Sequence, residues 1–167
     1  MPPLYTASVP VFRHYLAQAG RLVDRAAAEP GLLDARLAPD MFTGAQQFAT
    51  AAGFALRGAF LLIGRDVPDF PKSAMDAEGL KARIAFADGQ LAALPPDLFE
   101  GAGDRRIEHR AGFAELEQSG ADYLHLFSLP NFFFHLCMGF AVLRNAGVDM
   151  GKADFDALHD YPHGFQF

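Results

Sequence analysis

Asn131 and His135 lie four residues apart in a strongly apolar stretch, and they are the most suggestive pair in the chain. On a helix that spacing sets both side chains on one face, one turn apart. A polar pair inside an apolar helix must find partners, because burying it unpaired is costly. Two readings follow. In the first, the pair is a satisfied core: His135 bonds a carboxylate, carbonyl or tyrosine, and Asn131 caps backbone groups loosened at Pro130. In the second, it belongs to a metal or ligand site in which His135 is the one good donor. A further polar strip, Asp40, Thr43, Gln47 and Thr50, runs along an earlier helical segment. Thr43 and Thr50 read as a solvated flank, and Asp40 as a first-turn carboxylate favoured by the helix dipole.

The remaining reactive side chains carry less. The chain has no Walker loop, GxSxG elbow, HExxH or CxxC, so no strong catalytic motif assigns a role to any residue. His125 precedes His135 by ten residues, about 15 Å along a helix, and cannot share an ion with it. His14 falls off its apolar stripe and reads as solvent-facing. His109 sits in an irregular segment. His159 and His163 form a tail pair able to chelate together, a pattern more often incidental. Cys137, flanked by Leu136 and Met138, reads as a core thiol behaving as a small hydrophobe.

These side chains must be placed by helices. Tyr5, Val9, Phe12, Leu16, Ala19, Val23 and Ala26 recur at helical period. Pro10 confines the start of this helix to Thr6 or Ser8, and Pro30-Gly31 ends it. The second stripe runs from Met41 to Leu62 through Ala45, Phe48, Ala52, Ala55 and Ala59, opened by Pro39-Asp40 and closed by Gly64. Ser73 is the expected cap of a third helix, with Leu80, Ile84, Ala87, Leu91 and Leu94 on its stripe, and Pro95-Pro96 stops it. Ser119 caps a last, long helix that has Pro130 as its expected kink and Gly147 as its C′ residue. The spacing thus predicts helices over 7–28, 40–64, 74–94 and 119–146. A short irregular or hairpin segment precedes the last, with Arg106–Arg110 as a strand arm. The tail, 148–167, brings Phe155, Tyr161, Phe165 and Phe167 back onto the helices. The whole reads as one all-α domain, 1–167, of four-helix-bundle type.

Composition narrows the partners. The 167 residues carry a formal charge of −6, with Arg105-Arg106 the only tight basic pair, which excludes nucleic acid as the expected partner. The apolar run Phe132–Leu143 is shorter than the roughly 20 residues that span a bilayer, so no membrane partner is expected. One cysteine excludes an internal disulfide and fits a reducing cytoplasm. The N-terminus has no charged region followed by an apolar one, and so does not read as a secretory signal. The Phe-rich last helix and Ala-rich second helix carry spare apolar surface, which predicts a two-fold homodimer.

Several segments together resemble a known family. They are Ser8–Phe12, Arg36-Leu-Ala-Pro-Asp-Met-Phe42, Ala121–Leu124, Leu129-Pro-Asn-Phe-Phe-Phe-His135, Leu143–Val148 and Gly151–Phe155. Their order is similar to the bacterial domain-of-unknown-function family nineteen ninety-three, related to the DinB-like and YfiT-like four-helix bundles. The resemblance implies a DinB-like bundle over nearly the whole chain. Many DinB-like proteins look like metalloenzymes with three His ligands, one from the second helix and an HxxxH pair from the last. The second His of that pair stands nine residues before an Arg, as His135 stands before Arg144. Asn131 then takes the place of the first, and Gln47 that of the helix-two ligand. The resemblance therefore implies a degenerate metal site of His135, Asn131 and Gln47, with at most a weakly bound divalent metal and no other cofactor. It points to a module for a small ligand or an interaction partner. The alternative it carries is a metal-dependent enzyme, for example of thiol transfer, using His135; a third reading is a purely structural dimeric bundle.

Overall fold

The computed structural model describes residues 1–162. It is mostly helical with one two-stranded sheet. Helices α1 (Pro3–Ala26), α2 (Gly44–Phe60), α3 (Ala77–Ala92) and α4 (Gly120–Asn145) are long, and α5 (Lys152–Asp156) is a short addition. Strands β1 (Arg106–Ala111) and β2 (Ala114–Ser119) form an antiparallel hairpin that pairs Arg106 with Ser119 and Ala111 with Ala114. The expected strand arm is thus β1, and β2 is its partner. α2 packs most extensively on α4 and also on α3; α1 packs on α3, α2 and α4, and α5 lies on α1. Buried side chains of all four long helices join one core cluster, including Phe12, Leu16, Phe48, Leu56, Leu91 and Phe132.

The boundaries move where capping chemistry overrides the apolar period. α1 begins at Pro3, so Pro10 lies inside the helix rather than in its first turn. Its ring is on the exposed face, where the carbonyl that loses an N–H partner can meet water. Ser8 is not a cap: its Oγ donates back to the Leu4 carbonyl at 2.5 Å. α2 begins at Gly44, after Asp40 and Met41. Thr43 caps it, accepting from Gln46 N at 3.2 Å while Gln46 Oε1 accepts from Thr43 N at 2.9 Å. Thr43 is therefore a buried cap and not a solvated flank. Asp76, not Ser73, caps α3 through Gly79 N at 2.8 Å. At α4, Ser119 Oγ accepts from Asp122 N at 3.1 Å, as its position in the sequence suggested. Gly147, at φ +97°, closes the helix with the paired bonds Gly147 N to Arg144 O and Val148 N to Leu143 O.

α4 is interrupted by a π-helical stretch, Tyr123–Ser128, just ahead of Pro130, where the sequence pointed to a kink. No Asp, Glu, Lys or Arg stands between Asp122 and Arg144. By length and composition Gly120–Asn145 is therefore apolar enough to cross a membrane, unlike the shorter run read from the sequence. Cys137 is exposed and not in the core. Its apolar neighbours in sequence point about 100° away around the helix and do not cover it. Phe155 packs on Tyr15 and Phe140, with centroids 5.6 Å apart in each pair, and Tyr161 stacks on His159. His163, Phe165 and Phe167 lie outside the described residues.

Gly58 marks the closest packing. A Cβ there would stand 2.3 Å from Ser128 Oγ and 2.6 Å from the buried Phe12 ring. Gly58→Ala is expected to lower stability by about 1–3 kcal/mol through overpacking, although alanine favours the helix. Urea denaturation measures this, and an unchanged or raised midpoint would contradict the packing described.

Candidate functional site

The face of α2 that meets α4 carries one polar side chain in an apolar run, Gln47, only 2% exposed. Across the interface stands His135, and its Nδ1 lies 2.7 Å from Gln47 Oε1. A carbonyl oxygen can only accept, so Nδ1 carries the proton and Nε2 keeps its lone pair. The ring is flanked by aromatics. Phe54 stacks on it at 5.5 Å and 17°, Phe42 at 6.0 Å and 21°, and Phe134 meets it edge-on at 5.2 Å. Burial pushes the His135 pKa below its ordinary value, because a charged imidazolium is poorly solvated between rings. Among the described residues, the one sealed side-chain nitrogen or oxygen without a partner is His109 Nδ1, so His135 Nε2 keeps access to solvent. The arrangement is a neutral imidazole of fixed tautomer, offering one acceptor in an aromatic slot.

Asn131 serves its own helix. Its Nδ2 donates to the Phe127 carbonyl at 2.7 Å, satisfying backbone at the junction of the π-helical stretch and Pro130. The structure thus joins two of the three residues singled out from the sequence, Gln47 and His135, by a direct bond. It gives the third a backbone partner one turn away. Nearby backbone groups of α2 are met in the same way: Ser128 Oγ donates to Phe54 O at 3.4 Å, and Tyr123 Oη to Arg57 O at 3.1 Å. Burial pushes the Tyr123 pKa up to about 12, so the phenol stays a neutral donor.

The other histidines depart from their expected settings. His14 is half-buried, with Nε2 2.7 Å from the Asp156 carbonyl; α5 covers a position that the α1 stripe alone leaves open. His109 is 7% exposed on β1, bonded through Nε2 to Gln118 Oε1 at 2.8 Å and packed against Tyr123 and Phe127. His159 Nδ1 meets Asp156 Oδ2 at 2.5 Å. His125 is exposed. Sequence reasoning passed over Arg57 and Arg83, which share a pocket beside Phe54. The polar strip held the signal for Arg57, since Thr43, Thr50 and Arg57 are spaced by seven. Arg83 left no comparable signal.

A long last helix carrying a histidine against the second helix places the chain in the DinB class of folds. It is similar to the crystal structure of a DinB family member protein from Shewanella denitrificans, with 26% sequence identity and a TM-score of 0.85, over 95% of this chain and 94% of that one. The chain belongs to the family described as Domain of unknown function (DUF1993), whose model matches residues 4–156. A comparison with curated proteins finds no match.

The depressed pKa of His135 has a definite sign in stability. The unfolded chain takes up a proton at about pH 6.5, whereas the folded ring resists it until lower pH. Its contribution is therefore complete above about pH 6.5 and is lost as pH falls toward the folded pKa. NMR titration of the His135 ring should give a midpoint below about 6.5, and His135→Gln should flatten this part of the stability profile. A midpoint above that value would refute the account.

Proposed function

We propose that the chain is a one-domain, DinB-type four-helix bundle in which the metal position has become a neutral hydrogen-bonded pair, and that it binds a small molecule there. The observation that carries this reading is the 2.7 Å contact between His135 Nδ1 and Gln47 Oε1. The residues present do not fit a resident first-row divalent ion. His135 keeps Nε2 as its one nitrogen for a metal, Gln47 Oε1 already accepts from Nδ1, and Asn131 turns its amide nitrogen to the Phe127 carbonyl, so one imidazole nitrogen is the only strong ligand of the three residues. Among the described residues no three His, Cys, Asp or Glu side chains cluster as a metal set. Amide oxygens are also poor ligands for zinc or nickel beside imidazole. What such a setting suits is a small, neutral molecule that donates one hydrogen bond to Nε2 at the edge of the imidazole, which itself fills the space between Phe42 and Phe54.

The protein is read as a bacterial, cytoplasmic homodimer without nucleic-acid or membrane partners. Acidic charge argues against nucleic acid. On the uncharged stretch of α4, Leu126 is 69% and Phe134 53% exposed, eight residues apart and so on one side of the helix. A second copy related by a two-fold axis would cover this side without opposing like charges. Tyr123, Leu124, Phe132, Leu136 and Leu143 are buried on the inner side of α4 and join the core of the bundle.

Metal analysis and zinc titration of protein without a His-tag are expected to show no stoichiometric metal and only weak binding. Gln47→His should strengthen zinc binding by restoring a second imidazole. One tightly held zinc or nickel per chain would sink this reading and support a metal-dependent enzyme using His135. Light scattering at micromolar concentration should give the dimer mass, and Leu126→Glu with Phe134→Glu should give the monomer.

A further inference from the structure

Arg57 and Arg83 line one pocket of about 290 Å³ between α2 and α3, together with Thr50, Gly53, Phe54 and Met75. Both residues are half-buried, and each guanidinium is held by a backbone carbonyl. Arg83 Nε donates to the Ala49 carbonyl at 3.2 Å, and its Cζ lies 3.5 Å from the centre of the Phe70 ring. Arg57 Nη2 donates to the Arg110 carbonyl at 3.0 Å, and its Cζ lies over Phe54 and Phe127 at 5.3 and 5.7 Å. A guanidinium has five N–H donors in one plane, and stacking on a ring leaves that plane's edge free. One carbonyl bond each leaves most of these donors available.

Neither arginine has a carboxylate partner among the described residues, although acids outnumber bases 20 to 14 in the chain. No acidic side chain lines the pocket. Two positioned cations, Arg83 partly desolvated, face one concavity without counter-charge, an arrangement that an anion relieves. Burial also pushes the Arg83 pKa below its ordinary value, the direction expected of a cation short of a partner.

We infer that this pocket is an anion-binding site for a small organic molecule. Its carboxylate or phosphate oxygens take the in-plane N–H groups of Arg57 and Arg83, and its apolar body lies on Phe54 and Met75. Paired guanidiniums bind either oxyanion by parallel, charge-assisted bonds. The His135–Gln47 pair does not line this pocket; Phe54 borders both places, but Arg57 and Arg83 belong to this one alone, so substituting Arg83 tests this site without touching the pair.

Calorimetric titration of the full chain with benzoate and with phenyl phosphate tests the inference. One probe is expected to bind saturably at one per chain, and whichever binds more tightly identifies the oxyanion. Arg83→Gln should weaken it by about 10-fold or more, the loss of one charge-assisted contact. Gly53→Leu should weaken it similarly by filling the pocket. A Cβ on Gly53 meets no atom within 4 Å, so the added side chain leaves the backbone without a clash at its first atom, and the unfolding midpoint of each variant is measured beside its binding. Arg144→Gln, exposed at the far end of α4, should leave binding unchanged. No saturable binding of either probe, or binding undiminished by Gly53→Leu, would overturn the site and leave the arginines as stacking groups.

Discussion

A side chain on Gly139 would stand 2.9 Å from the Phe48 ring, and one on Gly58 only 2.3 Å from Ser128 Oγ. At Gly58 of α2 and Gly139 of α4 a neighbouring side chain thus rests directly on the backbone, with no room for a Cβ. Ala45, Ala52, Ala55 and Ala59 keep the core side of α2 small. Close approach of this kind multiplies dispersion contacts and leaves no gap for water to solvate polar groups. Polar atoms sealed inside this interface must therefore meet a protein partner.

The polar groups obey that constraint one by one. Gln47 meets His135, Ser128 meets the Phe54 carbonyl, Tyr123 the Arg57 carbonyl, and Asn131 the carbonyl of Phe127. Two of these groups belong to the π-helical stretch, and Asn131 lies just beyond it. An interrupted helix leaves backbone acceptors, and hydroxyls and amides in the same few residues take up such acceptors on both helices. His135 differs from its neighbours here. Its bond joins two side chains rather than side chain and backbone, and it retains a second, free nitrogen.

The four long helices were legible because a buried stripe at period 3.6 is a physical requirement of burial. Their first turns were less legible. Thr43 and Asp76 win the caps of α2 and α3 because an N-cap needs a side-chain oxygen within reach of a particular backbone N–H. Periodicity does not show that geometry. Pro10 misled because its cost depends on whether the lost partner faces water, a tertiary fact. The pairing of Gln47 with His135 was readable through family resemblance; 88 residues separate them, and spacing alone says nothing about such a contact. Cys137 and His14 were misread for a shared reason. Exposure on one side of a helix is decided by what packs there, and α5 covers His14 while no described element covers Cys137.

The hydrogen bond of His135 also limits its chemistry. Metal ligation needs a lone pair on nitrogen, whereas donation to Gln47 Oε1 needs a proton on it, and Nδ1 cannot supply both. The bond leaves Nε2 as the only donor atom of the ring. In metal sites the same second-nitrogen bond to a carbonyl orients an imidazole and raises its basicity. Here burial between Phe42 and Phe54 works the other way and disfavours the proton. The ring is then a better hydrogen-bond acceptor than a proton store near neutral pH, and its apolar surroundings favour a neutral guest over a hydrated ion. Gln47 holds the tautomer and the phenylalanines hold the charge state, so the neutral acceptor is a property of the packed interface between α2 and α4.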